Sequence, residues 1–271
     1  MQSSNPVLTR LGDTARQERS YGSVQAPGYG TGYPSAPGYA PQAPARMMTL
    51  DDVVVRTIGL LALTGVAGAV SWIFLPPDSP VTVLAMIGSS LAGLVLGLVI
   101  AFARITNPIL ISTYAVIQGV LLGVVSRYFE VRFPGIVIQA VIGTFGVFAI
   151  MAVLYKMKVL RATPRFARMV IGALIGIVLL SLVNFVVAMF GGNLGLIEYG
   201  TDGKVGWLPI VFSLVCIVVG ALTFILDFDA VEQGVRQGLP EKYAWYCAFG
   251  LLVGLIFLYW QILRLLSYLR R

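Results

Sequence analysis

The chain has 271 residues, of which 58% are hydrophobic and 11% charged, and its mean hydropathy is +0.86. Soluble domains carry roughly 25% charged residues, so this composition leaves too little polar surface for a globule in water. The net charge of +7 does not indicate a nucleic-acid partner, because the basic residues fall in short clusters between apolar runs, where loops facing an anionic membrane surface place them.

The first stretch is a different material from the rest. Residues 21–44 are dominated by Gly, Pro, Ala, Tyr, Ser and Gln, and Ala-Pro-Gly-Tyr occurs at 26–29 and again at 36–39. Such a segment cannot bury enough apolar surface to offset chain entropy, so residues 1–48 are expected to form a disordered tail ahead of a membrane domain at 49–271. The N-terminus has no apolar signal-peptide core, which makes the first membrane anchor also the first span.

Thr49-Leu-Asp-Asp52 predicts a helix start, with Thr49 as cap and Asp51 and Asp52 in the positive first turn. Seven apolar runs follow, at about 53–75, 81–103, 108–125, 135–155, 169–190, 207–226 and 243–266. Each is near the ~20 residues that cross ~30 Å of hydrocarbon. None alternates strictly, which disfavours a β-barrel. The expected fold is therefore an all-α integral membrane protein of about seven transmembrane helices, in contact with a lipid bilayer.

Lys and Arg set the expected orientation, that of a multi-pass protein of the inner (plasma) membrane with its N-terminus in the cytoplasm. That places the tail arginines, Arg56, Arg104, Lys156, Lys158, Arg161, Arg165, Arg168, Arg236 and Lys242 inside, and only Arg127, Arg132 and Lys204 in outer loops. Arg264, Arg270 and Arg271 face outward if the seventh span crosses fully; a re-entrant last segment would keep them inside. Four G-x-x-x-G pairs, Gly93/Gly97, Gly119/Gly123, Gly172/Gly176 and Gly250/Gly254, predict close helix packing. Gln118, Gln139, Asn184 and Gln261 are read mainly as makers of hydrogen bonds between helices.

Chemistry-bearing residues are few. Histidine is absent, which removes histidine triads and the H-E-x-x-H zinc site. Cys216 and Cys247 lie in or beside apolar runs without C-x-x-C spacing, as small packing residues do. No cofactor is implied. Ionisable groups near the membrane core deserve a functional hypothesis, and here four, Asp227, Asp229, Glu232 and Arg236, gather at the end of the sixth span, just after Thr223. On a helix Asp227 and Asp229 stand roughly 200° apart and cannot form a dyad. Asp229 shares a face with Glu232, and Glu232 with Arg236. Asp227 has Thr223 one turn deeper, which makes a polar stripe into the bundle. It reads either as a buried functional acid or as half of an interfacial ion pair, with Arg104, Lys156 or Arg236 as partner. Such a pair would close an inner gate and protonation would release it. The ionised carboxylate would also offer calcium a transient oxygen site, though Asp227, Asp229 and Glu232 are too few for a tight one.

The segments at 226–235 (LDFDAVEQGV), 243–250 (YAWYCAFG) and 258–266 (LYWQILRLL) resemble the Bax inhibitor-1, or transmembrane Bax inhibitor motif, family. The likeness spans about 49–271 and is nearest to a bacterial branch with a Gly/Pro/Tyr-rich extension. It implies two three-helix layers around a central C-terminal helix, which Gly250 and Gly254 would suit. It also implies a pH-sensitive calcium leak sensed by two aspartates, one at the inner end of the sixth span and one in the seventh. Asp227 matches the first through its Leu-Asp-Phe context. The position of the second falls at or close to Gly254, and Gln261 stands where some relatives have Glu, so the seventh span has no carboxylate.

Two functions follow. One is a pH-sensitive leak for calcium, other cations or protons, gated by Asp227. The other is a non-transporting stress regulator that binds membrane partners such as a protease, with the tyrosine-bearing tail as a handle. An enzyme is not expected, since an intramembrane aspartyl protease needs a second intramembrane Asp in a Gly-x-Gly-Asp context. Secondary transport lacks an inverted repeat or a broken helix pair.

Overall fold

Helix starts in this chain carry a repeated local signal. Ser79-Pro80, Asn107-Pro108 and Thr163-Pro164 each place a capping side chain before a proline at the first helical position. The cap oxygen takes a backbone N–H of the first turn, and the proline has no N–H to leave unsatisfied. Thr49 closes a reciprocal box. Its hydroxyl accepts the Asp52 N–H at 3.2 Å, and the Asp52 carboxylate accepts the Thr49 N–H at 3.0 Å.

The structure, a computed structural model, describes residues 46–76, 79–192, 194–197 and 206–270. The tail expected to be disordered lies, up to residue 45, outside them. Among the described residues seven helices follow in order: α1 Leu50–Phe74, α2 Pro80–Ala103, α3 Pro108–Arg132, α4 Ile136–Lys156, α5 Pro164–Met189, α6 Trp207–Arg236 and α7 Tyr243–Leu269. The shortest has 21 residues, ~32 Å at 1.5 Å per residue, so each is long enough to span a bilayer. Their outward residues are apolar, among them Val55, Ile73, Leu84, Phe102, Ile142 and Leu179. That pattern suits lipid as the surrounding medium and would be a liability in water.

The helices form two layers of three around α7. In one layer α3 packs between α1 and α2; in the other α6 packs between α4 and α5. The C-terminal helix packs along α1, α3, α4 and α6, while α2 packs mainly along α3, with Tyr246 of α7 donating to its Ala101 carbonyl at 3.2 Å, and α5 packs mainly along α6. Leu251, Leu252, Leu255, Leu258 and Leu263 of α7 are buried. As a single 27-residue helix it ends at Arg270, whose guanidinium donates to the Pro134 carbonyl at 2.8 Å and to Gln139 Oε1 at 2.7 Å. Those groups lie at the opposite end of the bundle from the α6–α7 turn. The last segment is one unbroken helix along the bundle and does not turn back on itself.

Close backbone approach is concentrated between α1 and α3. A Cβ on Gly119 would overlap the Thr64 carbonyl, and one on Gly123 would overlap the Gly68 carbonyl and the Ser71 hydroxyl. Across this contact the Thr64 and Ser71 hydroxyls reach the Ala115 and Val120 carbonyls, each at 3.2 Å, while also bonding their own helix. Between α6 and α7 the packing is reciprocal. Phe224 fills the notch at Gly254 and Phe257 fills the notch at Gly220, each with a ring carbon 2.9 Å from where a Cβ would sit. Gly93 and Gly97 receive Gln118 and Tyr114 of α3. Gly172, Gly176 and Gly250 have no neighbour at that position within 4 Å, so the close contact expected of Gly250 is absent.

Overpacking a tight helix contact costs about 1–3 kcal/mol. Gly123→Leu is therefore expected to lower thermal stability in detergent by that amount, and Gly172→Leu, with open space around it, to leave the melting temperature unchanged.

Candidate functional site

The residues of interest lie at the end of the bundle where α1 and α7 begin and α4 and α6 finish. The sixth helix does not stop at Leu226. It continues as one element through Arg236, so the charged segment is held rigidly on the same axis as the apolar one. Helical spacing then sorts the charges onto two faces.

One face meets α4. Asp229, Glu232, Gln233 and Arg236 line a cavity of about 530 Å³ with Tyr155, Lys156, Lys158, Leu160, Arg161 and Ala162. Glu232 accepts the Tyr155 hydroxyl and pairs with Arg236 one turn on. Asp229 accepts the Gln233 amide at 2.5 Å. Asp229 and Glu232 thus share a face, as the helix geometry requires.

The other face holds Asp227, which is partly buried and close enough to Cys247 of α7 to act on it electrostatically. Phe224 and Phe228 flank it and form an aromatic cluster with Phe148 and Tyr155 of α4, at centroid separations of 5.1 to 6.2 Å. Among the described residues no cation lies within ion-pair distance of Asp227, and no group donates a hydrogen bond to it. Arg236 is committed to Glu232. Arg104 terminates α2 in a left-handed conformation, φ 49°, and makes no ion pair among the described residues. Lys156 lines the cavity on the other face. The Thr223 hydroxyl, one turn deeper, donates to the Gly220 carbonyl at 2.7 Å, which satisfies it within its own helix.

At Gly254, where the resemblance implies a second carboxylate, the Phe224 ring occupies the space a side chain would need. Gln261 is buried further along α7, and its Oε1 has no hydrogen-bond partner. Gln139 receives Arg270 from another helix, whereas Gln118 donates to Tyr114 one turn away on its own helix, at 3.3 Å. Among the described residues no cluster of three or more metal-ligating side chains is present. What Asp227 offers is a single carboxylate against apolar neighbours, able to take up a proton or attract a passing cation.

The sequence reading missed a clasp beside this site. Residues 46–48 run along the α6–α7 turn. The Met48 N–H donates to the Leu239 carbonyl and the Glu241 N–H to the Arg46 carbonyl, each at 2.8 Å. The Met48 side chain, 2% exposed, sits against Gly234 and Leu239. Arg56 of α1 donates to the Glu241 carbonyl at 2.6 Å and to its Oε1 at 2.5 Å, and lies over the Trp245 ring at 5.3 Å. The only local clue in the sequence is a charge, Arg56, two turns inside an otherwise apolar helix.

Hydrogen bonds to charged groups contribute about 1.5–3 kcal/mol, and Glu241 is one-third exposed, which weakens the pair. Arg56→Ala is expected to cost about 1–2 kcal/mol of stability by thermal unfolding in detergent. Gly254→Asp should cost about 1–3 kcal/mol, and a double-mutant cycle should show a smaller penalty in a Phe224→Leu background.

The sequence profile of the family described as Bax inhibitor 1 like matches residues 5–271. No curated protein matches the chain.

Proposed function

Because the chain belongs to the Bax inhibitor 1 like family, a family of membrane proteins and not a known enzyme family, we propose that it is a pH-sensitive leak for calcium or other cations, gated by Asp227 near one end of α6. One observation carries this reading. Asp227 has no ion-pair partner among the described residues. A carboxylate retained for structure in apolar surroundings needs a cation or donors to offset its desolvation, and ionisable groups at membrane depth otherwise mark ion or proton pathways. Of the two roles read from the sequence, the functional acid is the better supported.

The gate in this reading works without the second aspartate and without a salt bridge to Arg104 or Arg236. Protonation of Asp227 removes the one unpaired negative charge on that face of α6, and ionisation restores an oxygen site for a cation in transit. The side chains that would respond first are Phe224 and Phe228, which flank the carboxylate and hold α6 against α4 and α7. The basic residues at this end, Arg104, Lys156, Lys158, Arg161, Arg165, Arg168, Arg236 and Lys242, support placing it, with the N-terminus, on the cytoplasmic side of the plasma membrane.

The second reading, a regulator acting on membrane partners, is favoured by the clasp. The segment leading out of the 1–45 tail is fastened to the α6–α7 turn, so a partner holding the tail would pull on the end of α6.

The deciding measurement is calcium flux through purified protein in liposomes, from about pH 5 to 8. Flux that varies with pH in the native chain and is flat in Asp227→Asn is the expected result. No flux above empty liposomes from folded protein would refute the leak and leave the regulator. Asp227→Asn removes no ion pair, so its melting temperature should equal or exceed that of the native chain.

A further inference from the structure

The cavity on the α4 side of α6 has a charge pattern that the gate does not use. Lys156, Lys158 and Arg161, at the end of α4 and in the turn to α5, surround it with Arg236. The carboxylates there are already engaged, Glu232 by Tyr155 and Arg236, and Asp229 by Gln233. Lys156, Lys158 and Arg161 make no ion pair among the described residues. The turn that carries them is fixed. The Lys158 N–H donates to the Tyr155 carbonyl at 2.9 Å and the Val159 N–H to the Leu154 carbonyl at 3.1 Å, with Lys158 left-handed at φ 57°. This is the hydrogen-bonded closure of a helix end, and it projects successive basic side chains around one hollow.

The same hollow is amphiphilic. Leu160 and Ala162 form part of its wall and pack on the main apolar core. Behind it, α4 and α5, although consecutive in the chain, do not touch each other. α6 packs between them and carries the far wall of the hollow. A cationic hollow with apolar residues in its wall, at the end of a membrane-spanning helix, matches the phosphate of an anionic phospholipid. Clustered Lys and Arg bind phosphate through charge-assisted hydrogen bonds.

We propose that this cavity binds a phosphate group held by Lys156, Lys158 and Arg161, supplied by an anionic phospholipid at the membrane surface. Each basic residue near a membrane surface contributes roughly a fivefold change in occupancy, so losing two costs roughly 25-fold.

The test uses the full-length protein purified in a neutral detergent. Equal amounts of phosphatidylglycerol and phosphatidylcholine are added, and retained lipid is read by native mass spectrometry. Thermal melts with inorganic phosphate form a second arm. The cavity variant is Lys158→Gln with Arg161→Gln; both side chains are exposed, and a melt in phosphatidylcholine checks its fold. The control is Arg165→Gln with Arg168→Gln, which removes the same charge from the first turns of α5 outside the cavity lining. The expected result is preferential retention of phosphatidylglycerol that falls roughly 25-fold in the cavity variant and less than about threefold in the control. A Lys158→Arg, Arg161→Lys exchange should retain it. Stabilisation by inorganic phosphate alone, lost in the cavity variant and without lipid preference, would make free phosphate the ligand of the same site. Equal retention of the two lipids with no phosphate effect, or an equal loss in the control, would overturn the site and leave only diffuse surface charge.

Discussion

Inside a bilayer no water is available to a backbone N–H or C=O, and every other feature of this bundle is arranged around that constraint. Helices satisfy it along their lengths but leave four donors and four acceptors at each end. Here side chains close many of those ends. Arg127 of α3 donates to the carbonyls that finish α1, including Trp72 and Leu75. Glu130 accepts the Gly135 and Val137 N–H groups that begin α4, at 2.6 and 3.1 Å. Arg270 covers the Phe133 and Pro134 carbonyls. Several charges of this charge-poor chain are thus occupied as caps, and few remain for other tasks.

Against that background the two faces at the end of α6 differ in kind. On the α4 side the acids are engaged, Glu232 by Tyr155 and Arg236 and Asp229 by Gln233, as polar groups at a wet boundary are. On the α7 side Asp227, near Cys247, has no ion-pair partner among the described residues. The notch at Gly254, filled by Phe224, means that α6 and α7 meet through ring-to-backbone packing near the point where a second acid would otherwise face Asp227. The contact between these helices is consequently apolar, and the charge on this face belongs to one residue.

The spans were legible because each apolar run is near the length that crosses a membrane, and the layers were legible through the family likeness. Helix ends were less so. Arg165 and Arg168 read as loop, yet Thr163-Pro164 starts α5 before them. The sixth apolar run ends near Leu226, and the helix geometry read for the charged segment beyond it is what α6, continuous to Arg236, displays. Four-residue glycine spacing identifies a smooth helix face but not what covers it, which is why Gly119/Gly123 meet α1 while Gly172/Gly176 meet nothing. Within the site, the separation of Asp227 from Asp229 follows from 100° per residue and was legible. The isolation of Asp227 from Arg104 and Arg236 was not, since it depends on helix placement. Nor was the clasp, whose partners Arg56 and Glu241 are 185 residues apart.

That separation imposes an order of assembly. Residues 46–48 and Arg56 are synthesised first among the elements of the bundle, but their partners at Gly234, Leu239 and Glu241 come with the last two helices. Closing a loop of that length carries an entropic cost that only the finished α6–α7 pair can offset. Until then Arg56 lies two turns into an apolar helix without its carboxylate, an expensive place for a lone charge. The fastening at the start of α1 therefore closes only once the α6–α7 turn has been made, late in the chain's synthesis.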